Sequence, residues 1–225
     1  MELQCCAKGK FAHCEACRVS PYGCAVEETE GLRERKKAAT REALHRAAVR
    51  LAAEHGFEHV TVEAVADEAG VSRRTFSNYF ASKEEAFFHG DARRARRLVD
   101  LVRAAPAGER PWAVLTRAAE ALVAEAGEDL TPDESQRRQR LRSAPGLMAE
   151  AVAAYAAVER DLAAELAGRL DGAEVDLRSR VLAAAFLATL RTAVDHASGR
   201  PLDEVHGVVR DALAVVEPVD EPPPS

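Results

Sequence analysis

Apolar residues recur at the spacing of an α-helix along most of this chain of 225 residues. Alanine, leucine and arginine are abundant, aromatic residues are few and runs of β-branched residues are rare, which also favours helices. The pattern therefore predicts an all-α protein. The longer predicted helices cover residues 40–55, 82–103, 112–126, 147–170, 175–198 and 201–216. A further helix is predicted to start near Thr131 and to end before Pro145.

Two shorter helices are predicted between the first two long ones. Thr61 can cap the first of them, because its hydroxyl can accept a hydrogen bond from a free backbone N–H two residues on. Gly70 provides the break, since glycine adopts a left-handed backbone at little cost. Ser72 then caps the second helix, which is predicted to end at Phe80. Phe76 and Phe80 lie four residues apart in it, so both can point inward. The pattern predicts a helix-turn-helix unit.

The outward side of the second short helix carries arginine, hydroxyl and amide groups. Arg74, Ser77 and Asn78 face outward, and Arg73 and Thr75 flank them. Such a helix fits the major groove of DNA, where an arginine can bind a guanine edge through two hydrogen bonds. An ordinary solvated helix would show the same pattern. Spacing alone indicates a DNA-binding helix and leaves the solvated helix open.

The net charge of −6 is distributed unevenly. Residues 31–103 carry 15 Lys and Arg against 11 Asp and Glu, whereas residues 104–225 carry 13 against 21. A local basic excess is what phosphate contact requires. Residues 31–37 form a basic arm that either contacts DNA phosphates or the minor groove, or is simply a solvated helix start. No apolar run is long enough to span a membrane and no secretory signal is recognisable, so a cytoplasmic protein is expected.

The N-terminal segment holds every cysteine of the chain. A CxxC pair is a spacing typical of metal sites, and thiolates suit zinc or an iron–sulfur cluster. The pattern suggests a metal- or redox-responsive regulator as one alternative. A flexible extension whose cysteines have no role is the other. The candidate ligands are Cys5, Cys6, Cys14, Cys17 and Cys24.

Residues 40–88 resemble the DNA-binding domain of the TetR family of bacterial repressors. The matching stretches are REALHRAAVRLAAEHGF, VTVEAVADEAGVSRRTF and a YF-x-x-K signature at Tyr79, Phe80 and Lys83. The resemblance implies a homodimeric repressor that binds a palindromic operator in double-stranded DNA and is released by a small molecule, with no cofactor required. It implies that the last two helices form a four-helix bundle with a second copy.

A repressor of this kind would make two kinds of DNA contact. Base contacts are expected from the second short helix, and phosphate contacts from the residues around it. The expected base contacts are Arg73, Arg74, Thr75, Ser77 and Asn78. The expected phosphate contacts are Thr61, Ser72, Tyr79 and Lys83.

The helices between about residues 111 and 195 would enclose a ligand cavity if the family pattern holds. The candidate lining residues are Trp112, Arg142, Met148, Tyr155, Phe186 and Arg191. Periodicity cannot separate ligand contacts from core or surface positions, so those roles stay open for all six. The stretch RRQRLRSAPGLMAEAVAAY resembles the C-terminal domain of an actinobacterial subgroup described as binding acyl-CoA-like ligands. An acyl-CoA-like or other hydrophobic effector is therefore expected.

No constellation for catalysis is recognisable in the sequence. There is no nucleophile paired with a base, no glycine loop for phosphate and no carboxylate pair in a known context, so an enzyme is not expected. The expected organisation is an N-terminal extension (1–31), a DNA-binding domain (32–81), a ligand-binding and dimerisation domain (82–217) and a disordered tail (218–225).

Overall fold

The computed structural model describes residues 23–126, 136, 139, 141, 145–170 and 174–217. All the regular structure in these residues is helical, which confirms the all-α prediction. The helices are α1 (Gly23–His55), α2 (Val62–Glu68), α3 (Arg73–Ser77), α4 (Lys83–Arg103), α5 (Pro111–Ala126), α6 (Pro145–Ala167), α7 (Leu177–Ala197) and α8 (Leu202–Val216), with a 3-10 turn at Phe57–His59. None of these helices is long and apolar enough to cross a bilayer.

Helix α1 begins at Gly23, well before the predicted start at Thr40. The basic arm therefore lies within a helix, where Lys37 is 3.8 Å from Glu34. The chain divides into two compact units at this point, Met1–Thr40 and Arg41–Ser225. The helix predicted to start near Thr131 falls largely outside the described residues, as does the predicted disordered tail.

Helix α3 is shorter than predicted, because it ends at Ser77 rather than at Phe80. The backbone then continues as a turn in which the Phe80 N–H still donates to the Phe76 carbonyl, at 3.0 Å. Both phenylalanines are consequently buried as expected. Asn78, which the sequence pattern assigns to the helix, lies on the turn that follows it.

Residues 41–90, which we call the head, surround a small apolar core. Phe57, Val60, Val65 and Phe76 meet in this core. Leu147, from the start of α6, also packs there and is completely buried. The remaining members are Leu44, Ala47, Ala48, Ala52, Ala66, Phe80, Ala86 and Phe87.

A second and larger core lies in residues 91–217, which we call the C-terminal domain. It is built from α4 to α8, and Trp112 and Phe186 are at its centre. The helical spacing of apolar residues predicts an inward stripe on α7 that includes Val181, Leu182 and Phe186. Leu182 and Phe186 are buried as this predicts, but Val181 is 56% exposed. Val181 lies on the side of α7 that no other described helix covers. Alanine-rich helices are apolar on several sides, so the sequence does not show which side faces inward.

Candidate nucleic-acid interface

Helix α2 is fixed at both ends by local hydrogen bonds. The Thr61 hydroxyl accepts from the Ala64 N–H at 3.1 Å, so it caps the helix as predicted, although its partner is three residues on rather than two. Gly70 has a φ of 67° and its N–H donates to the Asp67 carbonyl at 3.0 Å. The Val71 N–H donates to Ala66 at 2.9 Å, which completes a Schellman motif. This geometry turns the chain sharply into α3.

Helix α3 is capped at its start and anchored from below. The Ser72 hydroxyl accepts from the Thr75 N–H at 3.0 Å and lies 2.9 Å from the Thr75 hydroxyl. Phe76 holds the helix against the head core. Arg73, Arg74, Ser77 and Asn78 are exposed, and Thr75 is half-buried. The polar side of α3 therefore faces outward, as predicted.

The two arginines of α3 differ in their surroundings. Arg73 Nη1 lies 2.8 Å from Glu63 Oε1, an ion pair between the starts of α3 and α2. Arg74 makes no ion pair or hydrogen bond through its side chain with any residue that the structure describes. The guanidinium group of Arg74 thus differs from that of Arg73 in having no carboxylate partner among the described residues.

Two expected phosphate contacts lie where α3 leads into α4. Tyr79 is half-buried, with the Arg41 guanidinium 5.8 Å from the centre of its ring. Lys83 Nζ donates to the carbonyl of Phe57 at 3.1 Å and to that of Val60 at 2.9 Å. The ammonium group also lies 4.5 Å from the centre of the Phe57 ring. Two of the three N–H groups of Lys83 are therefore used within the protein.

Ser82 followed three residues later by Glu85 predicts a capping box at the start of α4, and the structure has nearly this arrangement. The Ser82 hydroxyl accepts from the Glu85 N–H at 3.1 Å. The Glu85 carboxylate accepts from the Ala81 N–H at 2.6 Å, one residue before the expected partner. The end of α4 is held by Arg169, whose guanidinium donates to the carbonyls of Val102 and Ala105, both at 2.7 Å. Helix α4 is thus fixed to the head at one end and to the C-terminal domain at the other.

Arginines of α4 form ion pairs with neighbouring helices at the surface. Arg97 binds Glu125 of α5 through three hydrogen bonds, the shortest at 2.6 Å. These bonds lower the pKa of Glu125 below its usual value. Arg103 similarly binds Glu165 of α6 at 2.7 Å. The pairs join α4 to its neighbours in the C-terminal domain and do not form a basic patch for DNA.

The five predicted ligand residues that the structure describes do not come together as one site. Trp112 and Phe186 are core residues in edge-to-face contact, with ring centres 6.1 Å apart, and Trp112 Nε1 donates to the Leu213 carbonyl at 3.2 Å. Met148 is exposed. Tyr155 and Arg191 do meet, since the guanidinium lies 5.6 Å from the centre of the ring. Arg142 lies outside the described residues.

A cleft of about 390 Å³ lies between the start of α4 and the first half of α6. None of the five described candidates lines it. Its lining includes Arg41, Phe80, His89, Arg96 and Glu150. The sequence does not indicate this cleft, because Arg41 and Glu150 are more than a hundred positions apart and no local pattern shows that they come together.

The predicted metal ligands cannot be placed. Cys5, Cys6, Cys14 and Cys17 lie outside the described residues, and Cys24 is described only as part of the backbone of α1. Within the described part of the chain, no group of three or more His, Cys, Asp or Glu side chains is arranged to hold a metal ion.

Two family models match the chain. Residues 44–89 match the family described as bacterial regulatory proteins of the tetR family. Residues 109–220 match the MftR C-terminal domain. The first match coincides with the head, and the second covers most of the C-terminal domain.

Curated and solved proteins agree with these matches. The chain is 34% identical over 168 residues to the HTH-type transcriptional regulator TcmR of Streptomyces glaucescens, covering 72% of this chain and 74% of TcmR. Among solved structures, the fold resembles FadR, a fatty acid degradation regulator from Bacillus halodurans (TM-score 0.53, 19% identity, 79% of this chain and 96% of that one). It also resembles a transcriptional regulator from Aquifex aeolicus VF5 (TM-score 0.52, 18% identity, 79% and 99%). A third structure of this fold is a SmeT–triclosan complex (TM-score 0.52, 20% identity, 83% and 100%). The chain belongs to the TetR family of DNA-binding transcriptional regulators.

Proposed function

We propose that this regulator is a homodimeric repressor that binds a palindromic operator and is released from it by a small-molecule ligand. The observation that carries the proposal is the exposed polar side of α3 on a head whose helices are capped and closely packed. Arg74 would read a guanine edge in the major groove, and Ser77 and Asn78 would contact neighbouring bases. Rigid presentation matters, because such contacts require donors and acceptors held at fixed positions.

An exposed apolar surface on the C-terminal domain supports a homodimer. On α7, Leu177 is 76% exposed and Val181 is 56% exposed. They lie four residues apart on one side of the helix, and Ala184 and Ala188 continue that side with small residues that allow close helix approach. Val215 on α8 is 85% exposed. A two-fold bundle of α7 and α8 would cover these residues and pair two heads for a palindrome, with α3 helices about 34–36 Å apart.

Ligand release would act through α4. This helix is bound to the head at its start and to α5, α6 and Arg169 in the C-terminal domain. A ligand that favours another arrangement of α5 and α6 would tilt α4 and shift the distance between the two heads. Such a shift would move the second α3 out of register with its half-site.

The effector is proposed to be acyl-CoA-like or another hydrophobic compound. The match to the MftR C-terminal domain supports the subgroup that the sequence suggests. SmeT, whose structure was solved with the hydrophobic compound triclosan, shares this fold. Arg191, stacked on Tyr155, would suit an anionic group of such a ligand.

Selection of binding sites from random duplex DNA tests the proposal. The full chain should recover a palindrome with half-sites about one helical turn apart, and long-chain acyl-CoA should then weaken binding to that duplex. Recovery of single half-sites would contradict the homodimer. A lack of effect from acyl-CoA and from other hydrophobic compounds would contradict ligand release while leaving DNA recognition intact.

A metal chelator added to the same selection tests the second candidate function. That candidate is a metal- or redox-responsive regulator, and it rests on the five cysteines with one CxxC pair, whose alternative is an extension without a metal role. Loss of the palindrome in chelator, with recovery on adding zinc, would support that candidate. An unchanged palindrome would contradict it.

A further inference from the structure

Lys83 occupies a position where a cation is electrostatically disfavoured. It is the first residue of α4, at the positive end of the helix dipole. It is half-buried, and its Nζ donates to two backbone carbonyls and lies over the Phe57 ring. Charge-assisted hydrogen bonds and a cation–π contact thus offset the unfavourable dipole.

The two carbonyls belong to the turn that leads into α2. The Phe57 carbonyl also accepts from the Val60 N–H at 3.1 Å, so Lys83 adds a second donor to the bond that closes the turn. Val60 directly precedes Thr61, the residue that caps α2. Lys83 is 23 residues further along the chain than Val60. Its ammonium group therefore links Val60, just before the cap of α2, to the first residue of α4. The whole helix-turn-helix lies between these two residues.

We propose that Lys83 is a positioning residue for DNA recognition. By closing the segment from Val60 to Lys83, it fixes α2 and α3 as one body on the end of α4. The direction in which α3 enters the groove then follows α4. This differs from the phosphate contact expected of Lys83, and it rests on DNA binding alone, without the homodimer or ligand release.

The dependence of binding on salt separates the two roles. Each phosphate neutralised by a cation contributes about 0.9 to the slope of log affinity against log salt concentration. If Lys83 binds a phosphate, its substitution should reduce that slope and weaken binding to operator and random duplex alike. If Lys83 positions α3, its substitution should leave the slope unchanged and weaken mainly operator binding, because only base recognition requires the correct entry of α3.

Lys83→Met and Lys83→Arg are the informative variants. Methionine keeps much of the side chain and removes the charge and the donors. Arginine keeps the charge and binds phosphate at least as well as lysine, but its planar fork cannot reproduce a compact ammonium bound to two carbonyls over a ring. Positioning therefore predicts that both variants lose specificity, whereas phosphate binding predicts that Lys83→Arg behaves as wild type.

The control is Lys36→Met, an exposed lysine whose side chain has no partner in the described part of the chain. Affinities are measured on the selected operator and on random duplex over a range of salt, well below the unfolding temperature of each variant. We expect the ratio of operator to random affinity to fall on the order of tenfold in both Lys83 variants, with the slope unchanged. Lys36→Met should keep the ratio.

Two results would overturn the proposal. In the first, Lys83→Arg keeps the wild-type ratio of operator to random affinity. Lys83→Met then loses equal affinity for operator and random duplex, and its slope of log affinity against log salt concentration is reduced. The other is wild-type binding to both duplexes in both variants. If Lys83→Met does not fold, Lys83→Arg alone decides between the roles, because only phosphate binding predicts a normal ratio for it.

Discussion

The head and the C-terminal domain are both helical, but their geometry is fixed by different interactions. Helices α2 and α3 have 7 and 5 residues, far too few to be stable alone. Each begins at a side-chain cap, and so does α4, which follows them. Helices α6 and α7 have 23 and 21 residues; α7 also begins at a cap, but helices of this length are stabilised mainly by packing of their alanine-rich sides. Local caps therefore set the positions of the head helices, whereas packing between long helices sets those of the C-terminal domain.

The largest expected effect tests whether the two regions are separate. Leu147 and Leu162 lie on the same helix, α6, and both are completely buried, but Leu147 packs in the head core and Leu162 in the C-terminal core. Each substitution by alanine should lower the free energy of unfolding by about 2–5 kcal/mol, because each leaves a cavity. Denaturant unfolding measures this change.

Hydrogen exchange should distinguish the two leucine variants. Leu147→Ala should speed amide exchange in α2 and α3, since it removes a side chain from their core, while Leu162→Ala should leave that exchange unchanged. Equal amide exchange of α2 and α3 in both variants would show that Leu147 does not stabilise these two helices.

The next largest effect concerns base recognition by the head. Arg74→Ala should cost about 1–3 kcal/mol in operator binding and relax the preference at one position of each half-site. Arg73→Ala should cost less, because Arg73 already pairs with Glu63 and must leave that carboxylate to reach DNA. Affinities for operators with single base changes measure both effects. Equal losses of affinity on operator and random duplex would show that Arg74 binds phosphate instead.

Most of the head could be predicted because its signals are local. Thr61, Ser72 and Ser82 each accept from an N–H three residues on, and Gly70 turns the chain beside them. Contacts between distant parts of the chain could not be found in this way. Lys83 bonds to carbonyls 23 and 26 residues away, and nothing in the sequence near it indicates those partners.

The C-terminal domain could be predicted in outline only. The bounds of α5 to α8 agree with the predicted helices within three residues at every end. The prediction that Val181 faces inward is wrong. The six ligand candidates are core residues, surface residues or, for Arg142, outside the described part of the chain. Long alanine-rich helices leave many faces that could pack, so the sequence does not single out a cavity.

A smaller effect compares one helix cap from each region. Ser72 caps α3 in the head, and Asp176 caps α7 through a capping box with Ser179. Alanine at either position should lower the free energy of unfolding by about 1 kcal/mol. Only Ser72→Ala should also weaken operator binding, because α3 carries the base contacts. Similar operator affinity in both variants would mean that α3 keeps its place without its cap.

The smallest expected effect arises from His89, where the head borders the cleft. His89 is half-buried against Phe80, with ring centres 5.3 Å apart. Burial lowers the pKa of His89 below its ordinary value of 6.5, and Arg96, Arg41 and Arg93 add to this, while Glu42 opposes it. The other ring against it is His45, 5.9 Å away between centres. The folded protein therefore favours the neutral imidazole.

The direction of the pH effect follows from that lowered pKa. Below pH 6.5 the unfolded chain takes up a proton at His89 more readily than the folded protein, so the stability present above pH 6.5 is lost as the pH falls through the folded pKa. The unfolding temperature of His89→Gln should decline less than that of wild type between pH 7 and about pH 5, whereas His59→Gln, at an exposed site, should follow wild type. Parallel curves for all three proteins would mean that His89 titrates as freely in the folded head as in the unfolded chain. The head would then be open to solvent on the side of the cleft, in contrast to its closed, capped side at α2 and α3.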